Sequence, residues 1–145
     1  MASATPLEQT AEIVAHALDD ERDASEARGR VRRDGLPKVS GEDAQGVDLE
    51  PGEEVVAVRE SVAVTRLCPG EPDETSSGRL FVTTRRLLVE ITPPLDIGLD
   101  DIEELAIGGD RLLLTLTDGS GLSIDASSPR VLRVEMAASL AAART

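Results

Sequence analysis

Gly78-Arg79-Leu80-Phe81-Val82-Thr83-Thr84-Arg85-Arg86-Leu87-Leu88-Val89-Glu90-Ile91-Thr92-Pro93-Pro94 is the stretch that decides the fold class of this chain. Leu80 and Val82 alternate on one side of a run over residues 78–84, and Leu87, Val89 and Ile91 do the same over residues 86–92. Alternation with a period of two is the mark of half-buried strands. The paired prolines close the second run, because proline has no amide proton to donate to a ladder.

The same texture extends in both directions. Upstream, residues 55–67 are rich in valine and broken by Arg59-Glu60-Ser61, so they read as one long bent strand or two short ones. Residues 69–77 read as a turn-rich loop. Downstream, residues 95–99 and 102–107 are short strand candidates, and Gly108-Gly109-Asp110 is a hairpin turn. Leu112, Leu114 and Leu116 alternate cleanly, Asp118-Gly119-Ser120-Gly121 turns the chain again, and Leu122 with Ile124 mark a last strand. Ser127-Ser128-Pro129 then opens a helix whose apolar face is Val131, Leu132, Met136 and Leu140. About seven short strands and a terminal helix predict a mostly β fold, a small barrel or sandwich with one open end plugged. Closure and the helix together would deal with the sheet edges.

The amino-terminal part differs. Thr5-Pro6-Leu7-Glu8 is a capping box with proline at the first helical position. Leu7, Ala11, Val14 and Leu18 follow at helical spacing as a narrow apolar stripe, and Gly29 is a plausible stop. Residues 1–28 therefore read as an amphipathic helix. Residues 29–50, punctuated by glycines and Pro37, read as a flexible linker, and residues 51–145 as the barrel with its helix. A stripe of two turns needs a surface to lie on. It packs on the barrel, docks on a partner, or drives self-association, which makes Leu7, Ala11, Val14 and Leu18 the candidate partner-binding face.

Composition narrows the function. The 145 residues suffice for one domain with a real core, and that core must be aliphatic: Phe81 is the sole aromatic residue. Cys68 is the lone cysteine, so neither an internal disulfide nor a cysteine zinc site is expected, and a reducing, cytoplasmic setting fits. Fourteen arginines against one lysine, Lys38, suggest GC-rich coding and a bacterial source. The net charge of −13 repels phosphates and anionic lipid surfaces, so no nucleic acid partner is expected. No secretory leader and no apolar run long enough to span a membrane is read in the sequence, which makes stable membrane insertion an unfavourable reading.

Three stretches carry a family resemblance. Leu49-Glu50-Pro51-Gly52-Glu53, the run from Gly78 to Leu87, and Ile97-Gly98-Leu99-Asp100-Asp101-Ile102 resemble, in that order, segments of the GRAM and bacterial pleckstrin-homology-like domains. The final helix stands where that family has its capping helix. The resemblance covers about residues 50–143. It implies a small pleckstrin-homology-like β-barrel that binds lipid head groups, peptides or other domains and rarely catalyses. Fold of this kind does not fix function.

Candidate chemistry is sparse. His16 has no second histidine, and Cys68 has no base or orienting group close to it in sequence. Asp100, Asp101, Glu103 and Glu104 lack the spacing and glycine of a calcium loop, and a strand would scatter their oxygens over two faces. The glycine turns do not lead from a strand into a helix, so they are not phosphate loops. Arg79, Arg85 and Arg86, with Arg66, form a weak anion-site candidate, opposed by Glu71, Asp73 and Glu74 in the first loop. No catalytic, metal or cofactor residues are assigned. The expectation is a non-enzymatic module that binds a protein partner. The alternative is a peripheral domain that binds lipid head groups.

Overall fold

The computed structural model describes residues 6–39 and 46–144, with side chains from Val14 onward. Helix α1 (Pro6–Asp34) precedes seven strands: β1 (Val55–Leu67), β2 (Glu74–Thr83), β3 (Arg86–Val89), β4 (Leu95–Gly98), β5 (Ile102–Gly108), β6 (Arg111–Leu116) and β7 (Gly121–Asp125). Helix α2 (Pro129–Ala143) ends the fold. All neighbouring strands are antiparallel, in the order β4-β3-β2-β1-β7-β6-β5.

Long β1 joins the two halves. It pairs with β2 along its length and, through residues 63–67, with β7. One aliphatic cluster unites the inward side chains of both halves, among them Val64, Leu80 and Leu87 from one and Leu112 and Ile124 from the other. Leu132, Met136 and Leu140 of α2 belong to the same cluster. Such a shared interior requires the sheet to bend over itself. The bend is visible as a register shift between Arg59 and Val62, opposite Gly78. A Cβ at Gly78 would lie 2.0 Å from the Glu90 carbonyl oxygen, so only glycine fits that crossing.

The expected closure into a barrel does not occur. The edges β4 and β5 are linked by a 3₁₀ turn, Leu99–Asp101, and have no ladder between them. Helix α2 explains why none is needed. It rests against β5, β6, the 3₁₀ turn and the β1–β2 pair, and its leucines cover the apolar interior that a closing strand pair would otherwise cover. The Arg59–Glu135 ion pair, at 2.8 Å and largely buried, clamps it to β1.

Two boundaries differ from the sequence reading. Residues 74–77 are strand rather than loop, because long β1 offers them a ladder; Thr65 and Thr75 face each other with hydroxyls 2.8 Å apart. Helix α1 does not stop at residue 28 but runs through Gly29 to Asp34. Its terminating glycine is Gly35, which has φ of +82° and donates its amide to the Val31 carbonyl at 2.9 Å. The chain then returns to the sheet: Leu36 packs on the main cluster, and Val39 donates to the Val55 carbonyl. Thr5 and residues 40–45 of the expected linker lie outside the described residues.

Helix α1 lies on α2, not on the sheet. Ala24 and Ala27 pack against Val134 and Val131 in a second, smaller cluster. At Val14 and Leu18 the expected stripe is not the packed side. Val14 is 51% exposed and Leu18 66%, while Leu7 and Ala11 carry side chains outside the described residues. No helix among the described residues is long and apolar enough to cross a membrane.

Candidate functional site

Arg85 and Arg86 are committed to carboxylates. Glu53, whose side chain is fully buried, receives a two-pronged bond from Arg86: Nε to Oε2 and Nη2 to Oε1, both at 2.9 Å. Thr83 donates its hydroxyl to the same carboxylate and accepts the amides of Arg85 and Arg86. Burial alone raises the Glu53 carboxyl, but the bonds from Arg86, Thr83 and the Glu50 amide overcome it and bring the pKa down to about 2. The bond to Glu53 in turn raises Arg86 above the usual guanidinium range.

The other members of the expected anion site are also held within the fold, by carboxylates or by backbone carbonyls. Arg86 also reaches Asp96 at 3.1 Å and the Asp48 carbonyl at 2.8 Å. Arg85 pairs with Glu50 at 2.9 Å and bonds the Pro51 carbonyl. Arg79 lies over the Phe81 ring and meets Glu60 at 3.2 Å. Arg66 bonds the Pro93 carbonyl at 3.1 Å. Residues 49–53 and 83–86, singled out by the sequence, thus meet in a polar joint that fixes the chain entering β1 against the β2–β3 turn.

The remaining candidates stand apart. Asp100, Asp101, Glu103 and Glu104 are all exposed, the first two on the 3₁₀ turn rather than in a strand. Among the described residues no group of acids, histidine and cysteine is placed to hold a metal. His16 is exposed on α1, and Cys68 is a free, half-buried thiol after β1. In the 118–121 turn, Ser120 donates its hydroxyl and amide to Asp118, which lowers that carboxyl.

The helical face is different in kind. It begins with a cap supplied from far along the chain. Ser128, at the start of α2, has φ of 51° and ψ of 58°, and its hydroxyl makes no capping bond. Asp20 of α1 caps α2 instead, accepting the amides of Arg130 at 2.9 Å and Val131 at 3.4 Å. The Arg130 side chain meets Asp20, Glu21 and Asp110, which ties together α1, α2 and the β5–β6 turn.

Beyond this joint, α1 and α2 enclose a groove of about 490 Å³. Val134, Ala137 and Ala141 of α2 form its floor, and Arg28, Arg32 and Arg133 its rim. All three arginines are exposed, and none has an ion pair among the described residues. An apolar trough with uncompensated positive charge is a surface for an amphipathic, acidic element.

Neither Asp20 nor the groove was found from sequence. Asp19-Asp20-Glu21 reads as the end of an apolar stripe, and no local pattern says that an acid will cap a helix 110 residues away. The groove did leave a trace: Arg28 and Arg32 are four apart on α1, and Val134 lies off the Leu132–Met136 side of α2.

The sequence matches no family model and no curated protein. Among solved structures the chain is similar to the C-terminal domain of an unknown protein from Leishmania infantum, at 14% identity and a TM-score of 0.43, over 60% of this chain and 87% of that one.

Proposed function

We propose that this chain is a non-enzymatic binding module built on a pleckstrin-homology-like scaffold, and that its docking face is the α1–α2 groove. Seven antiparallel strands with a helix seated over their common interior support the scaffold reading. One observation carries the docking reading. In a chain of net charge −13, Arg28, Arg32 and Arg133 surround an apolar floor without a carboxylate of their own among the described residues. Charges left unmatched at the edge of an apolar trough steer a complementary partner and fix its register. The partner is therefore a protein helix with an apolar stripe flanked by acids.

Two synthetic helical peptides with one leucine pattern, flanked by glutamates in the first and lysines in the second, test this by fluorescence anisotropy. The acidic peptide binds the full chain, weakens with salt, and loses about tenfold or more in affinity to the Arg28→Glu, Arg32→Glu variant. Equal binding of both peptides, or of variant and wild type, overturns the reading. Flotation with phosphatidylglycerol vesicles that depends on the same two arginines would replace the protein partner by a lipid surface.

A further inference from the structure

Resting on that docking face, we infer that its occupant is helix α1 of a second copy of this chain, laid antiparallel about Ser25. Val14, Leu18, Glu21, Ser25, Arg28 and Arg32 follow one another at spacings of four and three, so they share one flank of α1. That flank adjoins the packed side formed by Asp20, Ala24 and Ala27 and opens beside the groove. Its charge is divided. The first half offers two exposed aliphatic side chains and Glu21, which stays 64% exposed although Arg130 lies 3.5 Å away. The second half offers Arg28 and Arg32.

A parallel pair would set glutamate against glutamate and arginine against arginine. An antiparallel pair centred on Ser25 sets Glu21 of each copy against Arg28 of the other. It also brings Leu18 level with Arg32, since each lies seven residues from the centre, about 10.5 Å along a helix. Leu18 then enters the groove over Ala137 and Ala141, where the aliphatic stem of Arg32 covers it and the guanidinium stays in water. Small Ser25 at the crossing and the alanine floor allow close approach of the helices. The interface is isologous: one surface serves as both ligand and site, twice over. It accounts for two features of the single chain at once, the exposed Leu18 and the unmatched Arg28 and Arg32.

Sedimentation velocity of the full chain tests the inference. Wild type forms a dimer whose dissociation constant rises about tenfold or more between low and high salt. Glu21→Arg alone and Arg28→Glu alone are monomers, and Arg28→Glu, which breaks no ion pair within the described fold, keeps the melting temperature of dilute wild type. The double variant Glu21→Arg, Arg28→Glu recovers the dimer, because exchanging the two charges restores the antiparallel pairing. A monomeric wild type at high concentration overturns the inference, as does a dimer indifferent to either single change. If wild type is monomeric yet binds the acidic peptide, the groove survives as a site for another protein and only self-association fails. If it does neither, both readings fall.

Discussion

Two sets of arginines occupy this molecule, and they are used in opposite ways. On the sheet, Arg85 and Arg86 each close on a carboxylate, and Arg86 meets its partner Glu53 inside the protein. On the helical pair, Arg28, Arg32 and Arg133 surround an apolar floor with no such partner among the described residues. The first set is structural because its charge is spent within the fold. The second is available because it is not. What marks a candidate site in an acidic chain is thus not where arginines gather but where unmatched arginines border an apolar floor.

Removing Arg86 tests the sheet half of this contrast most severely. Arg86→Ala leaves the Glu53 carboxylate buried without its cation, and breaking a buried pair on one side costs about 3–5 kcal/mol. Urea unfolding measures it. A loss under about 1 kcal/mol would erase the distinction, since Arg86 would then behave as a surface arginine.

The same joint sets an acid limit. Glu53 titrates at about 2 in the fold against an ordinary 4.5, so between those values the unfolded chain binds more protons. Stability from this group is fully present above the ordinary value and is lost as pH falls toward 2, on the order of 3 kcal/mol in all. Urea midpoints measured across that range show the loss. Glu53→Gln flattens this part of the profile, and an unchanged acid slope in that variant would assign the effect to other carboxylates.

The contrast also separates what could be read from the sequence from what could not. Alternation of Leu80 with Val82, of Leu87 with Val89, and of Leu112 with Leu114 is a local property, and the strands stand where it puts them. Whether the sheet closes depends on how α2 fills the space between distant edges, which no local period records. Gly29 and Gly35 are equal as letters; only the packing of Ala24 and Ala27 against Val131 and Val134 of α2 carries the helix past the first to the second. Arg79, Arg85 and Arg86 drew notice by being neighbours in sequence. Their carboxylates, Glu60, Glu50 and Glu53, come from other segments and became visible only in space. The groove was harder still, since it needs residues more than 100 positions apart, Arg28 and Arg133.

Asp20 joins the helical pair and predicts a smaller, local effect. Asp20→Ala removes the cap on α2 and the tie to Arg130, a loss of about 1–2 kcal/mol. Hydrogen exchange locates it: α1 amides exchange faster while those of β1 and β2 keep their protection. Equal loss of protection in the sheet would make α1 part of the main cooperative unit rather than an appended face.

The smallest expected change is the most discriminating. Arg28→Ala together with Arg32→Ala alters the stability of dilute protein by no more than about 0.5 kcal/mol, because neither side chain makes an ion pair within the described fold. At high concentration the variants and wild type part company. A dimer binds only folded chains, so the wild-type melting temperature rises with protein concentration by mass action, while that of the double variant does not. A substitution that is silent in the monomer and effective only through concentration belongs to a surface kept for another molecule. If the double variant instead lost several kcal/mol when dilute, these arginines would be serving the fold as Arg86 does, and the two sets would be one.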